Sequence, residues 1–211
     1  MVHRTPFILP MLYPSLTWRI PSNGKQLFLT FDDGPVPGPT EFVLETLRKF
    51  DIKATFFCIG DNIKKHPGIF KDIITAGHKV GNHTHNHLNG WKTERTSYVQ
   101  NVEDCNQQIA AHLPLDSEKI RIFRPPYGRI TRDQIRSLSN FNIIMWDVLA
   151  VDYNDGLSAT RCLKNTINAS RPGSITVFHD SYKAEKNLTF ALPKYIEHFL
   201  TLQFEFKVVP G

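Results

Sequence analysis

Short apolar runs alternate with longer amphipathic segments along nearly the whole chain, and no other feature constrains its fold as much. Gln26 to Phe31, Ala54 to Ile59, His78 to Gly81, Ile120 to Phe123, Asn142 to Trp146, Ile175 to Phe178 and Phe204 to Val209 read as strands. Between them, Val43, Leu44, Leu47 and Phe50 recur at helical spacing behind Thr40 as a cap. Ile63 to Ala76 reads as one helix stopped by Gly77, and Thr96 to His112 places Val99, Val102 and Ile109 on a single face. Further amphipathic segments run from Thr131 through Leu138, near Ala159 to Ala169, and over Tyr195 to Leu202. Strands that alternate with helices pair in parallel through crossovers, which leaves an open doubly wound sheet or a barrel. About seven strands in one domain fit a barrel.

The 211 residues are 41% hydrophobic and include 15 Phe, enough for one sheet-centred core. Residues 25–211 are expected to form that single domain, with residues 1–24 as an N-terminal arm packed on it. The net charge of +5 comes from scattered Lys and Arg without a basic block, which argues against nucleic acid as a partner. Cys58, Cys105 and Cys162 are three, widely spaced and without CxxC pairs, so free thiols in a reducing compartment are expected. No segment reaches the roughly twenty apolar residues that span a bilayer. The apolar stretch near the start is broken by Pro6, Pro10 and Pro14, a poor signal-peptide core. The sequence reads as cytoplasmic on these grounds, with the cell envelope left open.

The polar residues fall where strands end. Thr30-Phe31-Asp32-Asp33-Gly34-Pro35 closes the first strand with two carboxylates and a forced turn. Side chains of neighbouring extended residues point to opposite faces, so the bend decides whether Asp32 and Asp33 can serve one site. An acidic turn closing a strand has the same composition. Gly81-Asn82-His83-Thr84-His85-Asn86-His87 follows the third strand; on one helical turn His83 and His87 would face one side, whereas an extended loop would align His83, His85 and His87 by twos. With Asp33 as an oxygen ligand, His83 and His87 would hold a metal and leave positions open. Arg124 precedes Pro125-Pro126 and could clamp a carboxylate, while His179 ends a buried strand and could deliver a proton.

Together these stretches resemble the polysaccharide deacetylases of carbohydrate esterase family 4, the NodB-like domain. The likeness runs from about Lys25 to His179 and keeps the family's motif order: TFDDGP at Thr30 to Pro35, HTxxH at His83 to His87, RPPYG at Arg124 to Gly128, a Trp-and-Asp segment at Trp146 to Tyr153, and His179 at a strand end. It implies a distorted (β/α) barrel of about seven parallel strands. It implies one divalent ion, zinc before cobalt, held by Asp33, His83 and His87. The resemblance makes Asp32 the general base, oriented by Arg124, and His179 the general acid, tuned by Asp152. Its backbone donor for the oxyanion is the Tyr127 N–H. Where the family often has Asp-Trp this chain has Asp152-Tyr153, Leu149 stands at a position that is often polar, and Phe178 replaces a common Leu before the histidine. Pro126, Tyr127, Tyr153 and Phe178 are therefore the expected substrate contacts.

The expected activity is metal-dependent removal of acetyl groups from N-acetylglucosamine units of a peptidoglycan or chitin-like glycan. Hydrolysis of non-sugar amides or cyclic imides on the same scaffold is one alternative. A carbohydrate-binding protein without turnover is the other. Oligomeric state, the identity of the polymer and any contribution of His85 to the metal are not legible in the sequence.

Overall fold

The computed structural model describes residues 3–22, 24–113 and 120–211. Eight strands are present among them: β1 (Gln26–Asp32), β2 (Thr55–Cys58), β3 (Lys79–Asn82), β4 (Ile122–Phe123), β5 (Asn142–Ile143), β6 (Val148–Leu149), β7 (Ile175–His179) and β8 (Glu205–Lys207). Seven follow the parallel path β5-β4-β3-β2-β1-β7-β6, and β8 pairs with β1. The path curls into an incompletely closed barrel, as the alternating pattern predicts. Crossovers are made by α2 (Pro39–Lys49), α3 (Gly60–Lys65), α4 (Pro67–Thr75), α5 (Arg95–Ala110), α6 (Arg132–Ser137), α7 (Ala159–Ala169) and α8 (Glu185–Thr201), after a short α1 (Ile8–Leu12).

The two-residue period of β1 sorts its side chains. Leu27, Leu29 and Phe31 pack outward against Val43 and Leu47 of α2 and Leu188, Leu192 and Phe199 of α8. Phe28, Thr30 and Asp32 face the barrel interior, where the fully buried Arg124 reaches Thr30 and Asp32. Burying about 25 cal/mol per Å² of apolar area makes the outer layer the main source of stability. The inner layer instead carries polar groups that must be satisfied.

The ends of the strand path do not pair with each other. Residues near the N-terminus bridge this seam: Thr17 N–H donates to Ile143 O (2.9 Å), Met145 N–H to Thr17 O (2.7 Å), Thr5 N–H to Asp147 O (2.8 Å) and Leu149 N–H to His3 O (2.9 Å). Of the expected arm, Met1, Val2 and Asn23 lie outside the described residues.

Several element boundaries differ from the sequence reading. Ile63 to Ala76 is two helices, because Pro67 lacks an N–H and drives His66 to φ −130°, out of helical geometry. The cap of α2 is Gly38, whose N–H donates to Glu41 Oε2; the Thr40 hydroxyl instead accepts from Val36 N–H. The last helix begins at Glu185 and runs through Pro193, well before Tyr195. The strand expected over Asn142 to Trp146 is two residues long, because its continuation pairs with the N-terminal segment rather than with a strand.

Candidate active site

β1 and β7 lie in register with Phe31 opposite Phe178 and Asp32 opposite His179, so a carboxylate and an imidazole stand side by side at the C-terminal edge. The chain turns sharply at Asp33, whose φ is 85°. That left-handed residue separates the two carboxylates: Asp32 stays in the barrel interior and Asp33 swings toward the histidine loop. Gly34 must follow, since a Cβ there would meet Asp180 Oδ2 at 1.9 Å. The buried Asp180 carboxylate accepts from Thr40 Oγ1 (2.7 Å) and Gly34 N–H (3.1 Å), and burial pushes its pKa up to about 8 against those bonds.

Asp32 is held by Arg124. Nη1 donates to Asp32 Oδ1 at 2.7 Å and to Thr30 Oγ1 at 2.8 Å, Nε to Ile144 O at 3.1 Å and Nη2 to Met145 O at 2.9 Å. The guanidinium lies 4.1 Å from the Phe57 ring centre. A buried ion pair is tolerated only when the remaining donors are satisfied, and here the carbonyls of residues 144 and 145 do that.

The histidine loop is neither a helical turn nor an extended segment. Thr84 and His87 have φ of 63° and 55°, and two asparagines pin the loop. Asn82 Oδ1 accepts from Thr84 N–H (2.8 Å), and Asn101 Oδ1 accepts from the N–H groups of His85 (2.9 Å) and Asn86 (3.0 Å). This folding brings His83 Nε2 to 3.6 Å and His87 Nε2 to 3.2 Å from Asp33 Oδ1. Their three ligand atoms all lie within 4.8 Å of one another, and His85 is not in the cluster. His83 Nδ1–H donates to Arg124 O at 2.8 Å, while His87 Nδ1 is 3.1 Å from the Tyr127 hydroxyl. A neutral His83 donating through Nδ1 turns a lone pair, not a proton, toward Asp33 Oδ1. Two facing acceptors call for a cation between them, so these three residues fit a divalent metal with nitrogen and oxygen ligands.

Across the site, Asp152 Oδ2 accepts from His179 N–H and Oδ1 meets His179 Nδ1, both at 2.8 Å. Burial alone would lower the His179 imidazole; the Asp152 carboxylate, with Asp33 and Asp32, lifts it to about 9. The Tyr153 ring sits edge-on to His179 at 5.0 Å.

These groups open on a cleft of about 420 Å³ lined by Asp32, Asp33, His83, His87, Tyr127, Tyr153 and His179, and by Arg129, Trp146, Leu149, Ser181 and Lys183. A larger groove of about 880 Å³ follows the N-terminal segment, but no cluster of metal-ligating groups lies in it among the described residues. Arg124 and Asp152 sit beneath the cleft, in contact with Asp32 and His179 respectively. Two expected substrate contacts are not on its wall. Phe178 alternates with His179 along β7, so its ring points outward and packs 5.5 Å from Tyr195. Pro126 is the buried first residue of the short 3-10 turn that presents Tyr127. Arg129, Ser181, Lys183 and Asp180 escaped the sequence reading; proximity to RPPYG and to the strand-end histidine was the only available signal.

Fold and cleft together define the class: a parallel (β/α) barrel hydrolase with a carboxylate on one wall and an imidazole on the other. Residues 19–146 match the family model described as polysaccharide deacetylase, and the chain is an enzyme belonging to that family. It is 34% identical over 197 residues to a peptidoglycan-N-acetylglucosamine deacetylase of Bacillus cereus, covering 90% of this chain and 69% of the relative. The crystal structure of the Bc1960 peptidoglycan N-acetylglucosamine deacetylase superposes with a TM-score of 0.88 at 32% identity, covering 98% of this chain and 95% of that one. A CE4 family pseudoenzyme from Bacillus anthracis, BA3943, is also similar, with a TM-score of 0.78 at 26% identity over 91% of this chain and 66% of that chain.

Proposed function

We propose that this enzyme is a metal-dependent hydrolase that removes acetyl groups from N-acetylglucosamine units of a peptidoglycan or chitin-like glycan and releases acetate. The observation that carries this reading is the pairing of one carboxylate, Asp32 on Arg124, with one imidazole, His179 on Asp152, on either side of the Asp33, His83 and His87 cluster. A divalent ion held by those three residues supplies Lewis acidity toward the amide carbonyl and makes a nearby water more acidic. Asp32 accepts the proton of the attacking water, and the Arg124 contact fixes its carboxylate in place for that purpose. The Tyr127 N–H, presented by a residue at φ 60°, donates to the developing oxyanion. His179 Nε2 then protonates the amine as the carbon–nitrogen bond breaks, with Nδ1 fixed by Asp152.

Acetate release from N-acetylglucosamine oligomers, measured with and without a chelator, tests the reading. Release that is lost with chelator and restored by zinc or cobalt is expected. Asp32→Asn should abolish turnover and keep the metal. Absence of metal-dependent release from every acetylated sugar overturns the reading. The likeness to a pseudoenzyme supports a binding-only alternative, but a protein without turnover has no chemical need for both a held base and a held acid.

A further inference from the structure

All five residues of α1 are apolar, and so are its two neighbours Phe7 and Tyr13. The inner face of this helix is covered: Leu9 and, one turn on, Tyr13 pack on the cluster of Leu16, Trp18, Ile130 and Met145. The outer face is bare. Phe7, Ile8, Met11 and Leu12 share it at helical spacing and are all exposed, Phe7 to 79% and Met11 to 68%. No other stretch of the described residues exposes large apolar side chains so densely. A helix that is apolar all round is normally buried all round, so the outer face of α1 calls for a cover.

The charge around that face says what the cover is. The first 31 residues contain Arg4, Arg19 and Lys25 but no Asp or Glu. Arg4 and Arg19 line the groove of about 880 Å³ that runs beside α1, together with Phe7, Pro10 and Pro14. Arg4 Nε donates to Ala169 O at 2.8 Å and Arg19 Nε to Pro172 O at 2.9 Å, so carbonyls fix both guanidiniums without cancelling their charge. Asp147, the one carboxylate of the groove among the described residues, is buried and held by Arg171. A second copy of the chain is a poor cover, because a two-fold interface through this patch would set Arg4 and Arg19 against their own counterparts. An anionic lipid surface supplies both missing halves, phosphates for the guanidiniums and acyl chains for the apolar side chains.

We infer that this face docks on a membrane rich in anionic lipid, with Phe7, Ile8, Met11 and Leu12 entering the boundary between headgroups and acyl chains and Arg4 and Arg19 resting on lipid phosphates. Trp146 packs on the same cluster as Leu9 and Tyr13 and also lines the catalytic cleft, so the docked face and the cleft are neighbours. Docking needs no turnover, and the inference stands apart from the deacetylase reading.

Co-sedimentation of the full chain with vesicles tests it, using phosphatidylcholine alone and phosphatidylcholine with about a third of phosphatidylglycerol. Binding to the anionic vesicles should exceed binding to the neutral ones about tenfold, and salt at about 0.5 M should remove most of that excess. Phe7→Ser combined with Met11→Ser should weaken binding about tenfold, and Arg19→Gln about fivefold. Leu202→Ser just beyond α8 and Lys71→Gln on α4, both at exposed positions, should leave it unchanged. Phe7→Trp, which keeps the apolar face, should add indole emission that moves to shorter wavelength on anionic vesicles. Absence of binding to either vesicle overturns the inference. Equal binding to both overturns it too, because charge is then not being read. Binding that survives the serine pair and Arg19→Gln undiminished, with no emission shift from Phe7→Trp, places the contact elsewhere and overturns it. A dimer in sedimentation velocity that the serine pair dissolves, without vesicle binding, gives the face to a second copy and overturns it as well.

Discussion

The two halves of the site are built by opposite means. The half made by the ends of β1, β3 and β4 collects its groups from bent loops, with Asp33, Thr84, His87 and Tyr127 all at positive φ. The half made by β6 and β7 keeps its imidazole on a regular strand: β7 delivers His179 in strand register, and Asp152, which follows the left-handed Val151 (φ 59°), takes both its backbone and its ring N–H. Ligand atoms must converge on a point, and regular strands diverge at their ends, so convergence requires left-handed residues. A proton donor needs only a fixed ring and a counter-charge.

If the halves are separable in this way, damage to one should leave the other's property intact. The largest effect is expected for His83→Ala, which should lose the metal and drop kcat by about 10³-fold or more; metal content by elemental analysis checks it, and full retention would place His85 in the ligand set. His179→Ala should cost about 10²- to 10⁴-fold in kcat while keeping the metal. Loss of metal in that variant would break the comparison.

Asp152→Asn tests the electrostatics of the second half through the pH profile. His179 is raised from 6.5 to about 9, so its proton is retained in neutral solution and is lost as pH rises through about 9. The alkaline limb of kcat should lie at or below that value, because a bound cation acts against the imidazolium. The stability contributed by the Asp152–His179 pair is fully present below 6.5 and disappears over the same rise. Asp152→Asn should move the limb downward and reduce kcat at neutral pH about tenfold; an unmoved limb would assign the ionisation to another group. The smallest effect belongs to Tyr127→Phe, which removes the hydroxyl beside His87 Nδ1 and should weaken metal affinity about tenfold in a chelator competition. Since Tyr127 is 59% exposed, water can replace the hydroxyl, and a larger loss would show that the phenol does more than orient the ring.

Sequence alone carried the residues of the site further than their geometry. The Asp32 to Pro35 turn was legible because glycine and proline announce a bend. His83 and His87 were legible as a pair, but not the loop that joins them, because its shape depends on Asn82 and on Asn101 from α5. Arg124 was readable from its neighbours Pro125 and Pro126, whereas its burial depends on carbonyls from residues 144 and 145. Phe178 was misplaced because the motif position outweighed the strand's period of two. Arg129 and Lys183 are lone cations in loops, and nothing local distinguishes such residues from ordinary surface charge. The fold followed from the alternation of strands and helices, and the seam did not, since pairing of residues 3–17 with residues 143–149 leaves no local trace.

That seam also orders events in time. Arg4 donates to Ala169 O across 165 positions of sequence, so this segment leaves a ribosome well before its partners exist. Contacts of such long separation form slowly. Residues 3–17 are therefore expected to join the barrel late rather than to seed it. In pulse-labelled hydrogen exchange during refolding, the amides of Thr5 and Thr17 should gain protection after those of β2 and β3, which pair across a short stretch of sequence (Thr55 with Lys79).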